Sequence, residues 1–412
     1  MKIQVFEQFY KGHHSNYIEI IIPEFSRLVE RKLVEEVIIT ITKQHFDFLK
    51  IHERFPEYSK FITFDISLPE VSSKSSLDNR KQVAANLLNA VNYVKPNYLI
   101  STSADYQSLI FAIQNYLGIK SLPNDLNSLG IFHYGYSGAT NGIADYIKQL
   151  VYSFTWKNCN CSRLLMVNPV VYEALVQDRL LQGRIGIVPD PVPSSVLFDK
   201  ETARKMLNIP TDGKYVGFIG AMDTRKAIPE LVAAFKNAKL SSDTYLLLAG
   251  KLNSKYRQII ESEFTELLNQ GRIILLDRFL SSTELIAGFC ALDVTAVVQY
   301  KRPNLSENIL KAIAAQRPVI ADNYGHTGMI IERFGVGWSC NLTDHEALVL
   351  TLEKGLAESD NYVLNTKTER LIEFHRPDNF VNTLLYNLNG LLPSDSINQV
   401  KTWEWVCDSE TT

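Results

Sequence analysis

Two cations and one helix start in the second half of the chain carry the residue types that bind phosphate. Arg225 and Lys226 follow an apolar strand and precede an amphipathic helix. A cation at a helix N-terminus opposes the helix dipole, which favours a binding role over a solvated position. A second helix is predicted to begin near Asn304. Its free N–H groups, together with the Ser306 hydroxyl, form a site suited to phosphate.

Two charged residues after Asn304 have a structural explanation beside the functional one. Glu307 stands three residues after Asn304, the spacing of a capping box, and we expect it to cap the helix rather than to bind a sugar. Lys311 follows one turn later on the same face, so an ion pair with Glu307 is the structural alternative. If Lys311 lies in a binding site, it faces phosphate, because a lysine only donates hydrogen bonds.

The loop after the first strand brings a glycine and two histidines together. Gly12 allows the backbone to approach a ligand closely, and His13 and His14 could reach a substrate. Two exposed loop histidines are the equally favoured alternative. Ser15 could cap the helix that follows.

Two further polar residues of the first half also follow strands. His133 ends an apolar strand, either as a ligand-binding residue or as a core histidine with one hydrogen bond. Asp105 follows another strand. It either orients a substrate hydroxyl or caps the next helix, and the cap is favoured.

The composition excludes several classes of protein. Of 412 residues, 46% are hydrophobic and 21% are charged, so disorder, collagen and coiled coil are excluded as whole-chain structures. The net charge is −3 without a basic block, so no nucleic-acid partner is expected. The five cysteines lack zinc spacing, which predicts free thiols and no metal. Without a signal peptide or a run of about 18 apolar residues, a cytoplasmic protein is expected.

Strands alternate with helical patterns along both halves of the chain, which predicts an α/β protein with two doubly wound parallel sheets. Three prolines between Val188 and Ser195 form a stiff connector, so we predict one domain at 1–190 and another at 191–390, with 391–412 packing back on the first. A cleft between the domains is the expected ligand site. The predicted strands are Lys2–Phe6, Glu36–Thr42, Phe61–Asp65, Tyr98–Ser101, Leu129–Phe132, Arg163–Val167, Ile185–Val188, Tyr215–Ile219, Thr244–Ala249, Arg272–Leu276, Asp293–Val298, Pro318–Ala321 and Gly337–Cys340.

Six segments follow one another in an order that resembles a known family. They are Gly130–Tyr134, Arg184–Asp190, Gly217–Phe235, Leu247–Lys251, Ser281–Val294 and Leu310–Asp322. Together they resemble the GT-B glycosyltransferases of family 4, the "group 1" transferases. The resemblance implies two Rossmann-like domains that face each other across a cleft. The N-terminal domain would bind the acceptor and the C-terminal domain the nucleotide-sugar donor.

The resemblance also implies roles for individual residues. His133 and Lys226 would be catalytic, near the donor sugar and its diphosphate. Gly12, Gly220, Arg225, Asn304, Ser306, Glu307 and Lys311 would line the donor site, as would the backbone N–H groups of Gly325, His326 and Thr327. A turn alone also explains Gly325. His13, His14 and Asp105 would lie on the acceptor side.

The sequence departs from the family pattern at three positions. The two glutamates that usually stand in the donor helix correspond to Pro303 and Lys311, and the usual arginine after Gly220 is Ala221. Some relatives carry a serine-rich turn before this helix instead, and residues 304–308 resemble that variant more than the usual pattern. These departures favour the alternative of a non-catalytic GT-B domain that binds a sugar nucleotide or a partner protein. A third alternative is another GT-B enzyme, such as a sugar-nucleotide epimerase.

The leading expectation is a glycosyltransferase that retains anomeric configuration and works without a metal. Its donor is a nucleotide sugar, which is a substrate, so no cofactor is expected. Its acceptor is a glycan, a lipid-linked molecule or a small molecule. Peripheral contact with the inner membrane is a further alternative, although no basic amphipathic helix stands out in the sequence.

Overall fold

The computed structural model describes residues 1–72, 76–119, 122–123, 125–133, 143–192, 197–300, 305–388 and 399–408. The chain forms two compact units. The first contains Met1–Pro191 and Arg376–Trp405, and the second contains Val192–His375 and Val406–Thr412. Each unit is built on one parallel sheet.

The first unit has seven strands in the order β3-β2-β1-β4-β5-β6-β7, and the second has six in the order β10-β9-β8-β11-β12-β13. In both sheets the direction of strand addition reverses once, between β1 and β4 and between β8 and β11. The strands are β1 (Lys2–Glu7), β2 (Glu36–Thr42), β3 (Ile62–Leu68), β4 (Tyr98–Ser101), β5 (Asn127–Phe132), β6 (Arg163–Met166), β7 (Ile185–Ile187), β8 (Lys214–Ile219), β9 (Thr244–Ala249), β10 (Ile273–Leu276), β11 (Val294–Val297), β12 (Val319–Asp322) and β13 (Gly337–Cys340).

Helices connect the strands, as parallel pairing requires. They are α1 (His13–Glu30), α2 (Lys43–Leu49), α3 (Ile51–Arg54), α4 (Leu77–Val94), α5 (Ser108–Tyr116), α6 (Ile143–Asn158), α7 (Pro169–Leu175), α8 (Lys200–Met206), α9 (Ile228–Asn237), α10 (Ser254–Glu263), α11 (Thr265–Asn269), α12 (Ser282–Ala291), α13 (Glu307–Ala314), α14 (Gly325–Phe334), α15 (His345–Glu358), α16 (Thr366–Phe374), α17 (Pro377–Asn387) and α18 (Trp403–Cys407). A 3₁₀ helix covers Ser359–Asn361.

The core of the first unit includes a late segment of the chain. Phe380 and Leu384 of α17 are fully buried with the residues of β1 and α1, and the rings of Tyr17 and Phe380 lie 4.8 Å apart. The return to this unit therefore begins at Arg376, whereas the sequence placed it at 391. The return begins earlier because α17 has an apolar face, which is buried against the core of the first unit.

The core of the second unit is secured by a buried acidic residue. Asp293, just before β11, is 5% exposed and accepts hydrogen bonds from Arg204 at 3.0 Å and from the Tyr215 N–H at 2.7 Å. Both partners come from segments that precede it, so the carboxylate ties α8 and β8 to β11. The loss of hydration by Asp293 is offset by these charge-assisted bonds.

The predicted fold class is confirmed, and every predicted strand is present. The predicted bounds of β2, β4, β9 and β13 equal the observed ones. The capping box at the start of α12 is also confirmed. Ser281 Oγ accepts from the Glu284 N–H at 3.2 Å, and Glu284 Oε2 accepts from the Ser281 N–H at 2.9 Å. Among the helices of the described residues, none combines the length and hydropathy needed to cross a bilayer.

Candidate functional site

The first sheet reverses its strand order beside a buried carboxylate. Glu7 ends β1 and is fully buried. Its Oε2 accepts from the hydroxyls of Thr102 and Ser103, both at 2.6 Å, and its Oε1 accepts from the Phe9 N–H at 2.8 Å. Thr102 and Ser103 follow β4, so this carboxylate joins the carboxyl ends of the two strands at the reversal, where ligands of such sheets bind.

His14 completes this cluster. Its Nδ1 lies 3.0 Å from Glu7 Oε2 and 2.9 Å from Ser103 Oγ. Burial alone raises the pKa of the Glu7 carboxyl, but the charge of His14 and the hydrogen bonds of its partners hold that pKa well below its ordinary value. Because an ionised carboxylate only accepts hydrogen bonds, Nδ1 of His14 carries the proton. No described residue forms a hydrogen bond with Nε2, which keeps a lone pair when the ring is neutral.

The other predicted residues of the first unit lie around this pair. The His13 ring centroid is 4.1 Å from that of His14 and 4.2 Å from that of His133. His133 Nε2 lies 2.9 Å from the Thr102 carbonyl oxygen, to which it donates. Burial lowers the pKa of His133 to about 4, so its ring is neutral near pH 7. The structure therefore brings three of the predicted histidines together.

Asp105 does not cap a helix, contrary to the sequence expectation. α5 begins at Ser108 with Gln107 as its N-cap, because the turn after β4 continues for several residues. The Asp105 carboxylate instead accepts from the His133 backbone N–H at 2.7 Å. It thus holds the end of β5, and His133 with it, in place.

The loop after β1 is shorter than expected. Gly12 is the N-cap of α1 with φ 70°, a left-handed conformation that favours glycine. His13 and His14 therefore stand in the first helical turn rather than in an exposed loop, and His14 is buried. Ser15 lies inside the helix, so it does not cap α1. Its hydroxyl donates to the Tyr10 carbonyl.

The second sheet reverses its strand order beside a lysine. Lys226 stands two residues before α9 and donates from Nζ to Gln299 Oε1 at 2.5 Å. Gln299, which is 7% exposed, follows β11. The Lys226 ammonium group is therefore held near the carboxyl ends of β8 and β11. A fixed cation at the reversal of the strand order suits an anionic ligand.

Two other predicted donor-site residues, Arg225 and Gly220, also follow β8 and have roles in the fold. The Arg225 guanidinium donates to both oxygens of Asp223, at 3.0 and 2.6 Å, and this bond lowers the pKa of Asp223. Gly220 follows β8 with φ 123°, and Asn308 Nδ2 donates to the Ile219 carbonyl at 2.8 Å. The amide of Asn308 thus joins α13 to the end of β8.

The start of α13 differs in detail from the prediction. Asn304 lies outside the described residues. Ser306 is the N-cap, so Glu307 is the first helical residue and cannot fill the third position of a capping box. Glu307 Oε1 instead lies 2.8 Å from Lys311 Nζ, the ion pair that the spacing allows.

α14 presents a second helix start at the same edge of the sheet. The first backbone hydrogen bond of the helix is donated by the Gly328 N–H, so the N–H groups of Gly325, His326 and Thr327 precede the helical bonding pattern. The His326 side chain is 3% exposed, and neither ring nitrogen has a hydrogen-bond partner in the described part of the chain. Burial and the neighbouring His375 lower the pKa of His326 to about 3.

Four residues of these clusters were not selected from the sequence: Glu7, Thr102, Ser103 and Gln299. A signal exists for two of them. Glu7 and Gln299 are polar residues that close apolar strands at the carboxyl end. The contributions of Thr102 and Ser103 depend on β1 and β4 being neighbours. Within the described ranges, no group of three or more His, Cys, Asp or Glu side chains is arranged to hold a metal ion.

The second unit matches a known family. Residues 199–375 match the sequence profile of the family described as Glycosyl transferases group 1. The chain carries a group 1 glycosyltransferase domain. The predicted enzyme class, a nucleotide-sugar glycosyltransferase, is thereby confirmed. No curated protein sequence is significantly similar to the chain.

Solved glycosyltransferases share the fold over nearly the whole chain. A glycosyltransferase from Rickettsia africae has 15% identity and a TM-score of 0.68, with 95% of this chain and 99% of that one covered. HepE of Anabaena in complex with UDP and glucose has 12% identity and a TM-score of 0.63, covering 94% and 99%. Sucrose-phosphate synthase from Thermosynechococcus elongatus has 16% identity and a TM-score of 0.62, covering 99% and 96%. At these identities the likeness establishes the GT-B fold.

Proposed function

We propose that this glycosyltransferase moves a sugar from a nucleotide-sugar donor to a hydroxyl of a glycan, lipid-linked or small-molecule acceptor, retaining anomeric configuration without a metal. The observation that carries the proposal is the Lys226–Gln299 contact, at a sheet edge where α13 and α14 also begin. One cation and two helix N-termini supply the positive potential that a leaving diphosphate requires. The complex of Anabaena HepE with UDP and glucose supports this assignment.

On the donor side, Lys226 binds the diphosphate and Arg225 is the second cation. Gly220 lets the backbone approach the nucleotide, and Ser306 adds a hydroxyl at the start of α13. The ion pair between Lys311 and Glu307 leaves both side chains partly exposed, at 22% and 33%, so either can still reach the donor. The free N–H groups at residues 325–327 bind hydroxyls or phosphate oxygens of the donor. Gly12 permits a similar approach in the first unit.

On the acceptor side, the Glu7–His14 pair positions a hydroxyl. The carboxylate fixes a proton on Nδ1, so when the His14 ring is neutral its Nε2 accepts the hydrogen bond of an acceptor hydroxyl. His133 is neutral and oriented by Asp105 and the Thr102 carbonyl, so it contacts the donor sugar without adding charge. The ring of His13 lies between those of the other two histidines and forms part of the same surface.

In the reaction, the bond between the anomeric carbon and the phosphate oxygen breaks, and its electron pair goes to the diphosphate. The acceptor oxygen bonds to the anomeric carbon on the same face, and its proton passes to the departing phosphate. Lys226 and the two helix starts stabilise the charge that develops on the diphosphate. No step calls on a metal, so addition of EDTA should leave the rate unchanged.

A thermal-shift panel of UDP-, GDP-, ADP- and TDP-sugars tests the donor assignment. At least one sugar nucleotide should raise the melting temperature, and Lys226→Ala should abolish most of that shift. Lys354→Ala, an exposed lysine on α15, is the matched control and should behave like the wild type. The proposal fails if no sugar nucleotide shifts the melting temperature.

Product analysis separates transfer from binding. With the donor identified, NMR of the product should show the anomeric configuration of the donor sugar. A donor that binds without being consumed by any of the three acceptor classes would favour the non-catalytic alternative instead.

A further inference from the structure

Helix α6 has an apolar face that the described residues of the first unit leave uncovered. Ile143, Tyr146, Ile147, Leu150 and Val151 follow the i, i+3, i+4, i+7, i+8 spacing of a helical stripe, and all five side chains are exposed. Ile143 is the most exposed of the five, at 81%. This stripe therefore runs for more than two turns along the outside of the unit.

The C-terminal half of α6 carries apolar residues on its opposite face as well. Trp156 is 2% exposed in a cluster with residues of β5 and β6, and Tyr152 stacks on it with ring centroids 5.5 Å apart. An exposed apolar stripe on a helix of a globular protein normally faces another apolar surface. The described residues cover only the face that carries Trp156.

The neighbouring helix α5 extends this surface. The Asn115 side chain donates to the Asn158 carbonyl at 2.9 Å, and the Tyr116 and Phe154 rings meet edge-on at 5.6 Å, so the C-terminal ends of α5 and α6 lie side by side. Exposed apolar residues continue there. The α5–α6 patch comprises Ile113, Tyr116, Leu117, Ile119, Ile143, Tyr146, Ile147, Leu150 and Val151.

The size of the α5–α6 patch exceeds what a monomer usually exposes. Nine side chains, each offering about half of the roughly 200 Å² of a large residue, present about 900 Å² of apolar surface. The largest apolar patch on a typical monomer measures about 300–600 Å². A standard protein interface buries about 800 Å² on each partner, which is close to the area available here.

The charge of the α5–α6 patch selects the kind of partner. Residues 108–119 contain no charged side chain. On α6, Lys157 is paired with Asp178 at 2.8 Å, which leaves Lys148 as the only other basic residue of the helix. Helices that dock on anionic lipid carry many basic residues beside the apolar face. A charge-poor surface that contains tyrosines is instead typical of the centre of a protein interface.

We infer that the α5–α6 patch is the interface of a homodimer, in which α6 of one copy packs against α6 of a second copy about a two-fold axis. A two-fold axis brings the same patch of both copies together, and the nine residues that form it carry no charge, so the patch is compatible with itself. The long stripe of α6 allows side chains of two antiparallel helices to interdigitate. The residues of the proposed catalytic site are not part of this patch.

Sedimentation equilibrium of the full chain over a concentration series tests the inference. The wild type should reach twice the monomer mass of 46.8 kDa, and Leu150→Lys should shift the equilibrium to the monomer. Leu350→Lys is the matched control, because Leu350 is a similarly exposed leucine on α15. It should remain dimeric.

Two further measurements keep the result interpretable. Tyr146→Ser removes apolar area without adding charge and should also weaken the dimer, so a folding defect of Leu150→Lys would not decide the matter. Binding to vesicles of neutral lipid is measured in parallel. A monomeric wild type overturns the inference, and vesicle binding that Leu150→Lys abolishes would assign the α5–α6 patch to a bilayer instead.

Discussion

At the scale of single residues, hydrogen bonds hold the Glu7–His14 pair of the first unit in one arrangement. The carboxylate is satisfied by four donors, so its geometry leaves His14 a single tautomer when the ring is neutral. The sequence pointed to His14 but not to Glu7, because a lone acidic residue at a strand end has no motif. Only the pairing of β1 with β4 brings Thr102 and Ser103 to it.

His14→Phe should lower the transfer rate while donor binding persists. The substitution keeps the ring but removes the Nε2 acceptor, so kcat/KM for the acceptor should fall about 10²-fold or more. The donor-induced thermal shift should be unchanged, which separates this effect from loss of the donor site. His52→Phe, at an exposed position of α3, serves as control. Full transfer activity in His14→Phe would exclude this role.

His326 makes stability depend on pH. The folded state keeps the ring neutral down to a pKa of about 3, whereas the unfolded chain takes up the proton near 6.5. Above pH 6.5 the titration of His326 costs the protein no stability. As the pH falls from 6.5 towards 3, the free energy of unfolding decreases by up to about 1.4 kcal/mol per pH unit, because only the unfolded chain takes up the proton. His326→Leu should show a shallower loss of stability between these values.

Urea denaturation at several pH values measures this slope. The exposed His345→Gln variant should keep the slope of the wild type. Equal slopes for the wild type and His326→Leu would show that the buried ring does not titrate in this way. Because neither ring nitrogen is hydrogen-bonded in the described residues, the leucine variant should be no less stable at neutral pH.

At the scale of helices and strands, the sequence predicts which elements are present better than it predicts the residues at which they begin and end. The strands are short runs of β-branched and aromatic residues, so a short stretch of sequence is enough to locate each one. Helix starts depend on the preceding turn. The sequence offers Ser15, Asp105 and Glu307 as capping residues. The observed N-caps are instead Gly12, Gln107 and Ser306. Ser281 was assigned correctly because both members of its capping box lie within four residues.

Ser281→Ala should destabilise the second unit by about 1 kcal/mol. The substitution removes the acceptor for the Glu284 N–H and leaves the first turn of α12 without its cap. Ser262→Ala on α10 is the control, because among the described residues that exposed serine bonds only within its own helix. Chemical denaturation gives the difference. An unchanged denaturation midpoint for Ser281→Ala would mean that the cap contributes nothing measurable.

At the scale of the whole molecule, both units repeat one plan, with a single reversal of strand order and the predicted site residues gathered at it. Glu7 and His14 lie at one reversal, and Lys226 and Gln299 at the other. Length and the proline-rich connector indicated two domains. The chain returns to the first unit at α17, earlier than predicted. The apolar face of α17 packs against α1, and the sequence pattern alone does not reveal that contact.

That return sets an order of events during synthesis. The ribosome releases Val192–His375 before it releases Arg376–Trp405, so the second unit can close its core while the first still lacks α17. The first half of the chain emerges early but completes its core last. The surface around Tyr17 stays uncovered until Phe380 has been synthesised. During translation, the part of the protein most in need of a chaperone is therefore the part made first.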